Sequence, residues 1–168
     1  MDYLVLVPAG YLLGSLPFGL IAGWMLRGVD LREHGSGNTG MTNVLRIVGP
    51  HAAVPVLLLD VGKSALAVVV ARMASGSAGV EAAAALAALV GHMWPVYVGF
   101  RGGRGAASGW GGLLALSPVS GLIATVVGVT AIGVSRYVSV ASLIAATVGA
   151  VALVVLSLTG AEPLAHAW

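Results

Sequence analysis

Five apolar runs, at about Tyr3–Leu26, Ala53–Ala74, Val80–Val98, Gly112–Val134 and Val138–Leu158, occupy most of this chain. Each is close to the ~20 residues that carry an α-helix across ~30 Å of hydrocarbon. Gly and Pro fall inside several of them, including Pro8, Pro17 and Gly128, and membrane helices tolerate both. Charge points the same way. Only 8% of the 168 residues are charged and 58% are hydrophobic, whereas soluble domains carry about 25% charged residues. No soluble surface can be assembled from so few charges. The expected fold is an all-α integral membrane protein, one domain over residues 1–168. It is a bundle of about five transmembrane helices, more if short or re-entrant ones are counted, with glycine-rich cytoplasmic loops. The start, "MDYLVLVPAGYLLG", carries an acid in place of a basic leader and runs on to Leu26, so it reads as a retained span.

Composition also removes function classes. Without Cys there is no disulfide, thiolate metal site or cysteine nucleophile. The pI near 9.4 accompanies a net charge of only +2; it reflects sparse, arginine-led charge, not a nucleic-acid surface. His34, His51 and His166 show no metal-ligand pattern, and there is no Gly-x-Ser-x-Gly elbow. No cofactor, metal or nucleic acid is expected. Arginine placement sets orientation. Arg27, Arg32, Arg46, Arg101 and Arg104 fall on one side of a five-span chain, Arg72 and Arg136 on the other. That bias puts the polar loops at about 27–52 and 99–111, and the C-terminus, in the cytoplasm.

The first loop carries "GSGNTG" at Gly35–Gly40. It imitates a dinucleotide-binding fingerprint, but a spanning helix precedes it where a strand is required. "GKS" at Gly62–Ser64 imitates a P-loop, yet Leu57 occupies the position of its first glycine. The phosphate-binding logic outlives both folds. Glycines let backbone amides crowd round an anion, and a helix N-terminus presents unpaired donors. A helix starting near Thr39 would place Thr39, Asn43 and Arg46 on one face, with Ser36, Gly37, Asn38 and Gly40 at its mouth and the Arg46 fork suited to phosphate. A polar turn shaped by its glycines is the alternative.

The second loop, "FRGGRGAASGWGG", sets Gly102, Gly103 and Gly105 around Arg104 before the fourth run. Asp60 and Lys63 lie inside the second run, where charges are costly and usually functional. They either neutralise each other or hold polar substrate. His92 is a candidate proton carrier or phosphate donor, or else a packed histidine. Ser139 and Ser142 read as packing residues.

"GSGNTGMTNVLRIVG", "LLLDVGKS", "GHMWPVYVGFRGGRGAA" and "RYVSVASL", in this order, strongly resemble the bacterial acyl-phosphate:glycerol-3-phosphate acyltransferases (PlsY). The resemblance runs from the first span to about Leu143. It implies transfer of a fatty acyl group from acyl phosphate to the 1-position of glycerol 3-phosphate in the bacterial inner membrane, the first step of phospholipid synthesis. It further implies that Ser36 and Arg46 bind glycerol phosphate. The family's Gly-Gly-Lys-Gly falls on Gly102, Gly103, Arg104 and Gly105, and substrate assistance replaces a protein base. Arg104 stands where the family usually has Lys, Met41 for Ala, Ser64 for Gly and Trp94 for Phe. Gly160 and Glu162 are spaced too tightly to carry the family's third motif. Competing readings keep the fold and change donor or acceptor, or make the protein a noncatalytic headgroup binder. A transporter would show broken helices at mid-membrane.

Overall fold

Pro17 decides how the first apolar run folds. It has no N–H to donate and pushes Leu16 away from helical geometry. Helix α1 (Asp2–Gly14) therefore stops short of it and α2 (Phe18–Arg27) starts after it, two pieces of one span. The computed structural model describes residues 1–161; Glu162 and His166 lie outside the described residues. A 3₁₀ turn (Leu31–Glu33) and α3 (Met41–Ile47) lead into α4 (Pro50–Ser75) and α5 (Ala78–Met93). A second 3₁₀ turn (Val96–Val98) precedes α6 (Ala106–Leu116), α7 (Pro118–Ser135) and α8 (Val138–Thr159). The described residues are helical with connecting turns. Five stretches are long and apolar enough to cross a membrane: Asp2–Arg27, Pro50–Ser75, Ala78–Val98, Pro118–Ser135 and Val138–Thr159.

The bundle is packed by small residues. Gly10 and Gly14, one turn apart on α1, lie against the backbone of Ala84 and Ala88 on α5, and a Cβ at Gly14 would overlap Ala88. Apolar side chains gain little by leaving lipid for one another, so close backbone approach is what holds such helices together. The pairing also fixes direction: α1 and α5 run parallel. Opposite them, α4 meets α5 through a buried ion pair, Arg72 Nη2 to Glu81 Oε2 at 2.9 Å. Arg72 also donates to the Ala115 carbonyl at 2.6 Å, which ties α6 to the same corner.

Helix α6 changes the topology. A single span over Gly112–Val134 is expected from hydropathy, but the chain breaks at Ser117. Its side chain caps α7 by accepting from Ser120 N at 3.2 Å, and Pro118 takes the first helical turn. Helix α6 returns against α7, with Trp110 Nε1 donating to Thr125 Oγ1 at 2.9 Å. Helix α8 then runs back along both, Gly149 lying against Leu113 and Ala124. The short α6 therefore acts as an extra traverse. It brings the Ser135–Tyr137 link to the same end as the second polar loop, where Arg104 Nη1 donates to Ser139 Oγ at 3.1 Å. Arg136 thus joins the other loop arginines instead of opposing them, and Thr159 ends at the far side. Six arginines share one end and Arg72 alone lies toward the other, a stronger bias than the sequence reading of five against two. Helices α7 and α8 present apolar surface outward, including Val126, Val129, Leu143 and Val154.

The chain has no cysteine, so single introduced ones report topology cleanly. Cysteines replacing Arg101 and Arg136 are expected to react from the same side of sealed vesicles, and one replacing Ser77 from the opposite side. Labelling of positions 101 and 136 from opposite sides would restore the five-crossing topology.

Candidate active site at the arginine-rich end

Asn43 builds the first loop. Its side chain is buried, with Nδ2 among the carbonyls of Leu31 (3.0 Å), His34 (3.0 Å) and Asn38 (2.9 Å). Its Oδ1 accepts from Ser36 N at 3.0 Å. One amide thus touches four backbone groups of the loop, its two N–H donors shared among three carbonyls. This departs from the expected single polar face. Helix α3 starts at Met41 with Gly40 as its cap, two residues later than the reading from sequence. Asn43 consequently turns inward, Thr39 is buried and Arg46 is exposed. Gly37 takes a left-handed conformation at φ 69°, and its N–H is committed to the His34 carbonyl at 3.1 Å. Ser36 and Arg46 remain at the surface, with Asn38 Nδ2 donating to the Ser36 carbonyl at 3.0 Å.

Arg32 fastens this loop to the second. Asp30 receives Arg32 Nη2 at 2.6 Å and Nε at 3.0 Å, which leaves Nη1 to donate to the Val98 carbonyl at 2.7 Å. The Arg32 guanidinium holds the Asp30 carboxyl below the usual carboxylate range, so the clamp stays ionic at neutral pH. Sequence reasoning missed this residue, although an acid two positions before an arginine at a helix exit was a usable signal.

The second loop uses its glycines for closeness. Gly102 N donates to the Met93 carbonyl and Gly103 N to that of His92, both at 3.1 Å. These two amides therefore finish the C-terminus of α5 and do not form the anion cradle expected of them. A Cβ on Gly103 would overlap His92 Nε2, so only glycine lets the chain lie flat on that ring. Gly105 caps α6 at φ 82°. Arg104 projects from this strand, exposed and bonded to Ser139. Ser139 is thus at the site's edge and not in packing, while Ser142 Oγ only donates to the Val138 carbonyl.

Beneath both loops sits a buried cluster. Lys63 Nζ lies 2.9 Å from Asp60 Oδ1, each side chain 2% exposed. His92 Nδ1 approaches the same oxygen at 3.4 Å. Lys63 Nζ also donates to the Leu16 carbonyl at 2.8 Å and stands 5.5 Å over the Phe18 ring. Lys63 is thus held inside the fold instead of reaching toward substrate, and His92, buried as well, sits under the loop. Neither Oδ1 nor Oδ2 of Asp60 has a hydrogen-bond partner among the described residues, so Lys63 and His92 meet Oδ1 as close charge contacts. A cavity with room for about one water is bordered by Asp60, His92, Thr39, Gly19 and Pro95. It joins the floors of the two loops. Residues brought to the open face are Ser36, Asn38, Arg46 and Arg104; those turned to support are Thr39, Asn43, Lys63, Gly102, Gly103 and His92. Among the described residues no cluster of His, Asp and Glu has the makings of a metal site.

Replacing Asn43 removes the partner of Ser36 N and of the Asn38 carbonyl, and one of two partners of the Leu31 and His34 carbonyls, each bond worth about 0.5–1.5 kcal/mol. Asn43→Ala is expected to cost roughly 2–4 kcal/mol in detergent-solubilised melting. Asn43→Asp should cost at least as much, because a carboxylate would face three carbonyls. A melting temperature unchanged in both would show that the loop does not depend on this side chain.

The profile of the glycerol-3-phosphate acyltransferase family matches residues 4–167. The glycerol-3-phosphate acyltransferase of Synechococcus sp. (strain CC9902) is 47% identical over 166 residues, 99% of this chain and 81% of that protein. That of Halalkalibacterium halodurans is 44% identical over 164 residues, 96% of this chain and 80% of that one. The crystal structure of PlsY (YgiH), an integral membrane glycerol 3-phosphate acyltransferase, in its glycerol 3-phosphate form superposes with a TM-score of 0.85 at 39% identity. It covers 95% of this chain and 78% of that one. Its lysophosphatidic acid form gives 0.77 at 34% identity over 98% of this chain and 95% of that one. A chain that matches on sequence over nearly its whole length, and on a helical bundle with its motif loops at one end, belongs to the glycerol-3-phosphate acyltransferase family.

Proposed function

We propose that the protein transfers a fatty acyl group from acyl phosphate to the 1-hydroxyl of glycerol 3-phosphate, releasing lysophosphatidic acid and inorganic phosphate. The hydroxyl oxygen attacks the acyl carbonyl carbon, the carbon–oxygen bond to phosphate breaks, and the hydroxyl proton passes to a phosphate oxygen. Structures of a relative in glycerol 3-phosphate and lysophosphatidic acid forms support the acceptor and product. The observation that carries the reading in this chain is that Arg46 and Arg104, two of the exposed arginines at this end, stand on the two motif loops. Each stands on a loop fixed from below, and Arg32 clamps the first loop to the turn that opens the second.

The mixed anhydride of an acyl phosphate is already activated, so the protein's task is to bring hydroxyl and carbonyl together and to neutralise phosphate. Arg46 with Ser36 receives the phosphate of glycerol 3-phosphate, and Arg104 grips it from the second loop. Arginine presents a planar fork where lysine presents a point charge. His92 stands beside Asp60 beneath the loop, which leaves proton transfer to the substrates' own phosphate oxygens. Six arginines at the loop end support a cytoplasmic side for that end, in the inner membrane of a bacterial cell. Membrane lipids supply the remaining surroundings.

Reconstituted protein given palmitoyl phosphate and labelled glycerol 3-phosphate is expected to form labelled lysophosphatidate. Arg46→Ala and Ser36→Ala proteins that still melt cooperatively should lose about 10- to 100-fold in kcat/KM, the worth of a hydrogen bond to a charged group. Arg104→Lys should keep most activity, while Arg104→Ala raises the KM for glycerol 3-phosphate. Turnover with palmitoyl-CoA but not palmitoyl phosphate would overturn the donor.

A further inference from the structure

We propose that Asp60 is a positioning residue for acyl transfer, acting through His92 on the Gly102–Gly103 strand that carries Arg104; this rests on the function proposed above. Asp60 lies on α4 and touches neither loop's exposed arginine. Its Oδ1 lies 3.4 Å from His92 Nδ1, without a hydrogen bond, and restricts the imidazole by close contact. The opposite edge of the ring, Nε2, is the atom a Cβ at Gly103 would strike, and the ring's other atoms line the same approach. The backbone is sewn down beside it, with Gly102 N on the Met93 carbonyl and Gly103 N on the His92 carbonyl. A strand pressed flat on a ring follows the ring when it turns. Arg104 is the next residue, and its guanidinium is held at the far end by Ser139 Oγ at 3.1 Å. The path from Asp60 to Arg104 is thus one ring and two glycines long.

The charged groups facing His92 are Asp60 and, one helical turn along α4, Lys63, which shares the same carboxylate oxygen at 2.9 Å. A bland alternative follows from that sharing: Asp60 is there only to neutralise Lys63 in an apolar bundle. The two accounts separate in the double variant Asp60→Leu/Lys63→Met, which removes both charges together and leaves no oxygen facing His92 Nδ1. If neutralisation is the whole role, the double variant keeps catalysis and loses only the stability of the Lys63 bond to the Leu16 carbonyl. If Asp60 orients His92, the fold survives in the same way but catalysis does not recover.

The test uses the full chain in detergent or vesicles, with a nitroxide on a single cysteine replacing Arg101. In the double variant we expect a cooperative melt lowered only by loss of the bond to the Leu16 carbonyl, a sharper nitroxide spectrum showing freer motion of the loop, and a KM for glycerol 3-phosphate about tenfold higher. The kcat should change less than the KM, because the reacting groups are untouched. A parental spectrum and a parental KM in the double variant would overturn the proposal. His92→Gln is read the same way if the double variant fails to fold, and an immobile label there would equally overturn it. Absence of turnover in the parental protein would count against the proposed function, while the nitroxide spectra would still decide whether Asp60 positions the strand.

Discussion

A lysine and an aspartate sharing one contact inside an apolar bundle constrain most of what surrounds them. Neither charge is stable alone at this depth, so α4 must present both on one face, and every neighbouring element is arranged to serve them. The break at Pro17 is part of this arrangement. A helix interrupted there leaves the Leu16 carbonyl outside the intrahelical ladder, and Lys63 Nζ supplies the missing donor at 2.8 Å. The interrupted first span and the charged second span thus explain one another: the lysine satisfies a carbonyl freed by proline, and the aspartate satisfies the lysine. His92 then extends the cluster to α5, and Ser108 Oγ donates to the Asp60 backbone carbonyl at 3.2 Å, which brings in α6.

The two motif loops obtain their rigidity by different means. The first is organised by a side chain, Asn43, whose amide substitutes for secondary structure across four backbone groups. The second is organised by the absence of side chains, since Gly102 and Gly103 let the chain approach the end of α5 until its carbonyls are satisfied. In both cases the polar backbone is largely used up in making the loop. What each then offers outward is a cationic side chain, Arg46 in one and Arg104 in the other. Under the function proposed above, an anion at this end would be met chiefly by guanidinium groups on a stiff base, a different device from an amide nest at a helix N-terminus.

Membrane-spanning helices were legible because hydropathy over about twenty residues reports directly on burial in lipid. The helix break at Ser117 was not, since "LLALSPVSGLIA" is continuous in apolar character and only the Ser-Pro pair signals a stop. Missing it reversed the side assigned to Arg136. The positions of Ser36, Arg46 and Arg104 at one end were readable from loop composition and charge. The inward turn of Asn43 was not, because a polar residue in a polar loop gives no sign of which backbone groups it will satisfy. The meeting of Asp60 with His92 depends on antiparallel packing of α4 and α5, and no local pattern encodes a contact between residues on separate helices.

The open end and the apolar wall are joined in a way that suits an amphiphilic donor. Helix α8 begins with Ser139, which accepts from Arg104, and within a turn its surface becomes exposed Leu143 and Ile144. Under the function proposed above, an acyl phosphate would find polar groups at the start of this helix and, within a turn, a face already turned to lipid for its tail. On that same proposal, glycerol phosphate has no tail and gains nothing from that wall, so its recruitment would rest on the arginines and Ser36 at the open end. Different physical forces would thus recruit the two proposed substrates from different phases, with the arginine loops at the boundary where hydroxyl and carbonyl would meet. Stiff loops matter there because an error of an ångström between reactants arriving from two phases has no covalent tether to correct it.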